Sequence, residues 1–371
     1  MSAASNSYKF EGWGAFAPDS IKGNLKWFEY EPKEFAEDDI DMKILYCGIC
    51  ASDLHTASSG WGDMTKMYPQ VVGHEIVGEV VRTGSQTEGG IKVGDVVGIG
   101  AQCDSCLKCH WCEHGEENYC AKGMTGTYGG IFHRTSAGSK SFGGYANYWR
   151  GPSHFAVPIP AGLDPAAAAP MLCGGVTVYS PLAQYGAGKE AKDVGIVGIG
   201  GLGHFAVLFA AAMGANVTAI THSEKKVEDC KKLGASKVII THGHVDDAVK
   251  GHERSLDLIV CASNDPSMPL NDYLRLLKPH GHFVLVGAPE SESLPSISPF
   301  TLLMGNVHIT GSAIGSPSRI REMLEFAAAH NVQPWIKKFP MKEANTAVPS
   351  MHNGEARYRY VLVNEENGGK L

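Results

Sequence analysis

The chain has 371 residues, of which 43% are apolar and 19% charged, so it is long enough for two or more domains with ample cores. Its 32 basic and 39 acidic residues give a net charge of −7, which argues against nucleic acid as the main partner. The opening MSAASNSYKF lacks the basic and apolar segments of a signal peptide, so we expect a cytoplasmic protein whose ten cysteines stay reduced.

Short β-like segments separated by glycine and proline fill the chain up to about residue 170. Examples are DMKILYCGIC, EIVGEVVRTG and KVGDVVGIG. This pattern predicts a mainly antiparallel β domain with long loops.

Three dispersed motifs in this region carry residues that could bind a catalytic zinc, which needs three protein ligands and one open position. YCGICASDLH, VVGHEIVGEV and PMLCGGVTVY supply Cys50, Ser52, Asp53, His55, His74, Glu75 and Cys173. Each motif alone is also compatible with ordinary packing, since buried cysteines are common. Cys47 and Cys50 form a C-x-x-C pair, so a redox pair and a zinc knuckle are alternative interpretations of these two residues.

The stretch GAQCDSCLKCHWCEHGEENYC contains five cysteines, at Cys103, Cys106, Cys109, Cys112 and Cys120. A zinc held by four thiolates has no open position and is structural. Counting back from Cys120 gives C-x2-C-x2-C-x7-C, which selects the last four and leaves Cys103 as an ordinary thiol. His110 and His114 are alternative ligands.

From Ala187 onward, candidate strands alternate with helical stretches. The strands are DVGIVGIG, NVTAITH, KVIIT, LDLIVCAS, HFVLVG and VHITGS, which predict a doubly wound, six-stranded parallel sheet. No charged residue lies between Asp193 and Glu224, a length that could span a membrane. Its glycines and polar residues favour strand, turn, helix and strand instead, so no membrane span is expected.

A glycine-rich turn, Gly198-Ile199-Gly200-Gly201-Leu202-Gly203, follows the first of these strands and opens a helix. In that context G-x-G-x-x-G indicates a dinucleotide site. Gly198 permits the tight turn, Gly200 lets the backbone approach a pyrophosphate, and Gly203 lets helix and strand pack closely.

The end of the second strand bears on which cofactor binds. An NAD site usually has an acid there, whereas this chain has Thr221-His222-Ser223-Glu224-Lys225-Lys226. Hydroxyls, an imidazole and two lysines suit a 2′-phosphate and favour NADP. Two alternatives stay open: Glu224 binds a ribose hydroxyl, or the lysines form a solvated helix face.

All these motifs, together with GEARYRYVLV near the C-terminus, occur in an order that resembles the zinc-dependent medium-chain alcohol dehydrogenases. The resemblance covers residues 10 to 363 and is strongest to the cinnamyl alcohol dehydrogenase branch, which includes NADP-dependent fungal alcohol dehydrogenases. It implies a GroES-like catalytic domain over 1–174, an NADP-binding Rossmann domain over 175–317, and a return to the catalytic domain over 318–371. A homodimer is implied as well.

The resemblance also implies two zinc ions per chain. Cys50, His74 and Cys173 would hold the catalytic ion, with Glu75 as an alternative ligand or a neighbour of the ligands. Asp53 would orient His74, and Cys47 would be structural. The closed site would be Cys106, Cys109, Cys112 and Cys120.

The implied reaction is reversible hydride transfer between NADPH and an aldehyde, with zinc as the Lewis acid. Ser52 would pass a proton through the ribose to His55. The cofactor-binding residues would be Ser52, Thr177, Gly198, Ile199, Gly200, Gly201, Leu202, Gly203, Thr221, His222, Ser223, Lys225, Lys226, Gly287, Ser312, Ala313 and Ile314.

Trp61 would stack on a substrate ring, although simple core packing is the alternative. Two departures matter: Ala51 replaces a frequent His or Arg, and Ala313 replaces a frequent Phe. We therefore expect a broad reductase of aromatic and medium-chain aliphatic aldehydes. The competing hypotheses are a reductase of C=C or C=N bonds and a non-catalytic NADP-binding zinc protein.

Overall fold

A computed structural model describes residues 8–135, 138–241, 245–289 and 293–371. The chain divides into two compact units. The first runs to Cys173 and resumes over Gly315–Ala328 and Trp335–Leu371. The second comprises Gly174–Ile314 and Ala329–Pro334.

The N-terminal part of the first unit is rich in strands. Its strands are β1 (Glu11–Ala15), β2 (Lys26–Glu29), β3 (Asp39–Ile49), β4 (Gln70–Val71), β5 (Ile76–Thr83), β6 (Val96–Ile99), β7 (Gln102–Asp104), β8 (Thr125–Gly126), β9 (Tyr148–Pro152) and β10 (Ala156–Pro158). Its helices are α1 (Ala51–Ala57), α2 (His110–Glu113) and α3 (Pro165–Pro170).

The second unit contains a parallel sheet and its helices. The strands are β11 (Asp193–Val197), β12 (Asn216–Thr221), β13 (Lys237–Ile240), β14 (Leu256–Cys261), β15 (Leu277–Leu285) and β16 (His308–Gly311). The helices are α4 (Val176–Gln184), α5 (Gly201–Ala212), α6 (Val227–Leu233), α7 (Val245–Val249), α8 (Leu270–Arg275) and α9 (Pro299–Gly305). The chain then continues through α10 (Pro317–Ala329), β17 (Ile336–Pro340), α11 (Ala344–His352) and β18 (Arg359–Val363).

The main sheet of the first unit has the order β10-β6-β5-β3-β18-β17, and β9 also pairs with β3. All its pairs are antiparallel except β17 with β18, so the predicted antiparallel character is confirmed. Ile40, Met42 and Ile44 of β3 are fully buried and anchor the core. Because Cys47 is paired with Ile76, the end of β3 lies beside the start of β5.

The sheet of the second unit has the order β13-β12-β11-β14-β15-β16, and every pair is parallel. The predicted doubly wound, six-stranded sheet is therefore confirmed. In this topology, ligands bind beyond the carboxyl ends of the strands, where the strand order reverses. That point lies between β11 and β14.

The uncharged stretch between Asp193 and Glu224 folds as β11, α5 and β12, as the sequence predicts. Within the described residues, Pro165–Gln184 forms a helix of 20 residues that is long and apolar enough to cross a membrane. Of its most apolar window, 89% is buried inside the protein, which is typical of a core helix.

Candidate functional site

The four-cysteine group consists of Cys106, Cys109, Cys112 and Cys120, whose sulfur atoms all lie within 4.8 Å of one another. The Sγ–Sγ distances are 3.5 Å from Cys109 to Cys112, 4.0 Å from Cys109 to Cys120, and 3.4 Å from Cys120 to Cys106. Tetrahedral zinc with Zn–S bonds of about 2.3 Å requires sulfurs about 3.8 Å apart. The group therefore fits a closed zinc site.

Backbone N–H groups favour the thiolate form of one cysteine in the four-cysteine group, and a thiolate binds a cation. The N–H groups of Cys112 and Ala121 lower the pKa of Cys109 to about 6, which favours its thiolate. Cys103 lies outside the group, where its thiol donates to the Gly126 carbonyl at 3.3 Å. His110 and His114 also lie outside it. All ten cysteines fall within the described ranges, and each is a free thiol.

A second cluster, the thiol–histidine group, comprises Cys50, His74, Glu75 and Cys173, each buried and each offering a ligand atom within 4.8 Å of the others. Cys50 follows β3, and His74 and Glu75 precede β5, so the pairing of these strands brings the three together. Cys173 lies in the π-helical turn Met171–Gly175. A hydrogen bond with Cys173, supported by His74, holds the pKa of Cys50 well below its ordinary range.

Asp53 lies at the centre of the polar contacts behind this group. Its Oδ1 is 2.8 Å from Nδ1 of His74, and its Oδ2 accepts the N–H of Cys50 at 2.9 Å. The Tyr145 hydroxyl donates to Oδ2 at 2.9 Å, and the N–H of Gly73 donates to Oδ1 at 3.2 Å. Asp53 therefore fixes the backbone at Cys50 and the orientation of His74 together.

Gly73 is required at this position. Its φ is +100°, and a Cβ there would lie 2.5 Å from Cδ1 of Tyr145 and 2.8 Å from Sγ of Cys47. Only glycine can present its N–H to Asp53 in this conformation and at this approach.

Arg359 is a residue of this site that our sequence analysis missed. Its guanidinium forms a buried ion pair with Oε1 of Glu75, while Oε2 of Glu75 has no hydrogen-bond partner among the described residues. Burial raises the pKa of Glu75 to about 8 despite the arginine. An arginine inside the apolar strand sequence RYVLV was the available signal, because a buried charge needs a partner.

The donors of the thiol–histidine group match the chemistry of a catalytic zinc. Two thiols and an imidazole are preferred zinc ligands, and three of them leave a fourth position open. His74 turns Nδ1 toward Asp53, and its Nε2 is buried without a hydrogen-bond partner in the described part of the chain. A buried, unpaired imidazole nitrogen is a natural metal ligand.

The predicted relay and pocket residues lie on α1 and just beyond it. The Ser52 hydroxyl is 3.7 Å from Sγ of Cys50. The rings of His55 and Trp61 stack, with centroids 4.8 Å apart and planes inclined by 27°. Trp61 is 44% exposed, so the core-packing interpretation of this residue is wrong.

The glycine-rich turn has the predicted setting in the second unit. It follows β11 and opens α5 at Gly201. A Cβ on Gly203 would lie 2.0 Å from the Gly198 carbonyl oxygen, so helix and turn pack as closely as the motif requires. A Cβ on Gly200 would meet nothing within 4 Å, so the backbone there is open to a ligand. This cradle fits a dinucleotide pyrophosphate.

At the end of β12, the structure places hydroxyl groups rather than an acid. The strand ends at Thr221, whose Oγ1 accepts the N–H of Ser223 at 3.2 Å. Glu224 is exposed and begins the next helical turn. Lys226 reaches back to the glycine-rich turn, where Nζ donates to the Ile199 carbonyl at 2.6 Å.

The remaining predicted cofactor residues lie mostly at the same edge of the sheet. Gly287 follows β15 and Ser312 follows β16, both at carboxyl ends of parallel strands. Ser180 on α4 donates to the Ile314 carbonyl at 2.9 Å and so fixes the segment that contains Ala313. Thr177 is buried on α4.

Comparison with known proteins gives consistent matches over both units. Residues 36–161 match the alcohol dehydrogenase GroES-like domain, and residues 201–329 match the zinc-binding dehydrogenase domain. NADP-dependent alcohol dehydrogenase 6 of Saccharomyces cerevisiae is 42% identical over 357 residues, which cover 96% of each chain.

Two solved structures are similar over nearly the whole chain. A cinnamyl alcohol dehydrogenase from Sorghum bicolor has a TM-score of 0.88 and 36% identity, covering 98% of this chain and 99% of its own. A CAD from Helicobacter pylori, solved with NADP(H), has a TM-score of 0.86 and 32% identity, covering 96% and 99%.

Proposed function

The chain belongs to the zinc-binding alcohol dehydrogenases, and on that basis we propose that it is an NADP(H)-dependent alcohol dehydrogenase that reduces aldehydes reversibly. The observation that carries the proposal is the thiol–histidine group backed by Asp53, in a chain that also has an open glycine-rich nucleotide turn. The catalytic domain would span 1–174 and 318–371, and the NADP-binding domain 175–317.

Cys50, His74 and Cys173 would hold a catalytic zinc, and Cys106, Cys109, Cys112 and Cys120 a structural one. When bound, zinc supplies a Lewis acid for the substrate oxygen, and NADPH supplies the hydride. Glu75 would be an alternative ligand through Oε2 or a neighbour of the ligands, because only its Oε1 is held by Arg359.

The protein must also move a proton to or from the substrate oxygen. The Ser52 hydroxyl lies against the sulfur of Cys50 and is the group of the chain that would exchange this proton. His55 would act as the proton reservoir, since an imidazole nitrogen can both accept and donate a proton. The exposed face of Trp61 would accept an aromatic or aliphatic substrate chain.

The direct test is the nicotinamide absorbance with cinnamaldehyde and hexanal, each with NADPH and with NADH. We expect both aldehydes to be reduced, with kcat/KM higher for NADPH by about tenfold or more, since one charge-assisted hydrogen bond contributes about 1.5–3 kcal/mol. A preference for NADH would assign the ribose to Glu224. Turnover of C=C or C=N substrates but of neither aldehyde would contradict the proposed reaction.

Lys226 and Lys225 provide a matched pair for the cofactor test. Lys226 contacts the nucleotide turn, whereas the neighbouring Lys225 is exposed. Replacing Lys226 by alanine should raise the KM for NADPH and leave that for NADH nearly unchanged, and Lys225→Ala should have the smaller effect. Equal losses with both cofactors would mean that Lys226 supports the turn rather than the 2′-phosphate.

We also propose that the protein is cytoplasmic, because four cysteines stay available as thiolates in a reducing compartment. We further propose that it forms a homodimer. The surface that would pair is the apolar face of α9, where Phe300, Leu303 and Met304 are 72–73% exposed, next in sequence to the edge strand β16. Exposed apolar patches and open sheet edges are typical of interfaces. A second copy related by a twofold axis would cover both.

Replacing Leu303 by glutamate should convert the dimer to a monomer, because the new carboxylate would be buried without a partner. The molar mass measured by light scattering should then fall by half. Val93→Glu is the control, since Val93 is 61% exposed and lies in the other unit. A wild-type protein with the mass of one chain would refute the dimer.

A further inference from the structure

We propose that the hydroxyl group of Tyr128 is a positioning group for the zinc ligand His74. The proposal rests on the proposed function, since it takes Cys50, His74 and Cys173 as zinc ligands. It adds a contact from a loop tyrosine 54 residues from His74 in sequence. None of the motifs found in the sequence contains Tyr128.

Three groups meet at one ring nitrogen. The Tyr128 hydroxyl is 2.9 Å from Nδ1 of His74, and Oδ1 of Asp53 is 2.8 Å from the same atom. Tyr128 also hydrogen-bonds to Asp53, so hydroxyl, carboxylate and imidazole form a closed triangle. The rings of Tyr128 and His74 lie 5.3 Å apart, with their planes inclined by 52°.

The triangle fixes which nitrogen of His74 is available. An ionised carboxylate only accepts hydrogen bonds, so the imidazole proton belongs on Nδ1 and Nε2 carries a lone pair. Nε2 is the nitrogen without a hydrogen-bond partner in the described ranges. With two partners at Nδ1 instead of one, the ring has less freedom to rotate about its χ2 angle, and Nε2 keeps its direction.

Tyr128 also helps to keep Asp53 in place. Asp53 is 1% exposed and His74 4% exposed, so water contributes little to solvating either group. The carboxylate depends on protein donors, and the Tyr145 hydroxyl occupies Oδ2 on the side of the Cys50 N–H. Tyr128 lies beside His74 and also hydrogen-bonds to Asp53, so each of the two tyrosines holds the same carboxylate.

The test is the rate at which zinc leaves the protein in excess chelator, measured for the wild type, Tyr128→Phe and Tyr145→Phe. We expect Tyr128→Phe to release one zinc per chain about 10 to 100 times faster, the usual effect of losing a group behind a metal ligand. The second zinc, in the four-cysteine group, should leave at the wild-type rate. Tyr145→Phe should also accelerate the release of the zinc ion that Tyr128→Phe releases faster.

Tyr30→Phe is the matched control, since it removes a buried hydroxyl of the same unit that donates to the Tyr148 carbonyl. It should leave both release rates unchanged. Cobalt substituted for the zinc held by Cys50, His74 and Cys173 should give a visible spectrum that Tyr128→Phe alters and Tyr30→Phe does not.

Wild-type release and an unaltered cobalt spectrum in Tyr128→Phe would overturn the positioning role while leaving the proposed function intact. A wild-type protein with a single zinc that Cys173→Ser does not remove would overturn the proposed function, and the positioning role with it. The two failures are therefore distinguishable.

Discussion

Replacing Cys173 by serine is expected to lower kcat/KM for aldehyde reduction by about a thousandfold or more, since losing about 4 kcal/mol of Lewis-acid stabilisation has that effect. A serine hydroxyl does not ionise as a thiol does, so it cannot supply the second thiolate of the thiol–histidine group. Elemental analysis should find one zinc fewer per chain. The fold should persist, because serine nearly matches the buried thiol in size.

Cys103→Ser is the control for this experiment. Cys103 is fully buried and belongs to neither metal group, so the same substitution there tests the effect of replacing a buried thiol. It should keep activity and both zinc ions. Full activity in Cys173→Ser, with its zinc content unchanged, would refute the assignment of the catalytic ligands.

Replacing Cys112 by serine should instead destabilise the protein while sparing the chemistry. Removing one thiolate from a closed site costs about 3–5 kcal/mol, and for a domain of this size that lowers Tm by about 10 °C. One zinc should be lost, as in Cys173→Ser. The kcat of the folded fraction, measured at low temperature, should nevertheless stay within about twofold of the wild type. A closed site has no open position for substrate, so its loss does not remove a catalytic group.

The comparison of Cys112→Ser with Cys173→Ser separates the two metal groups. Each variant should lose one zinc, yet one loses stability and the other loses activity. An unchanged melting temperature and zinc content in Cys112→Ser would show that Cys112 is not a ligand. Cys103→Ser again serves as the control, since its sulfur lies in the same lobe but outside the group.

Local patterns in the sequence were sufficient to predict the two kinds of sheet and the glycine-rich turn. The six strands of the second unit are separated by helices, so each strand has its own signal in the sequence. The four-cysteine group was equally accessible, because its members lie within fifteen residues of one another, from Cys106 to Cys120.

The contacts around the thiol–histidine group were not predictable in the same way. Arg359 meets Glu75 from 284 residues away, and Tyr145 meets Asp53 from 92 residues away. Tyrosine and arginine are common residues, and nothing next to them in the sequence marks their partner. Their roles follow from strand pairing and burial, which only the three-dimensional structure supplies.

The place of β18 has a consequence for how the protein is made. This strand inserts between β3 and β17, and its first residue, Arg359, is the buried partner of Glu75. A nascent chain that has not yet released residues 359–363 from the ribosome would expose β3 at residues 46–49, beyond the part that β9 covers, and leave Glu75 without its partner. The first unit therefore completes its folding only after residues 359–363 have emerged, and until then that open edge is a natural target for chaperones.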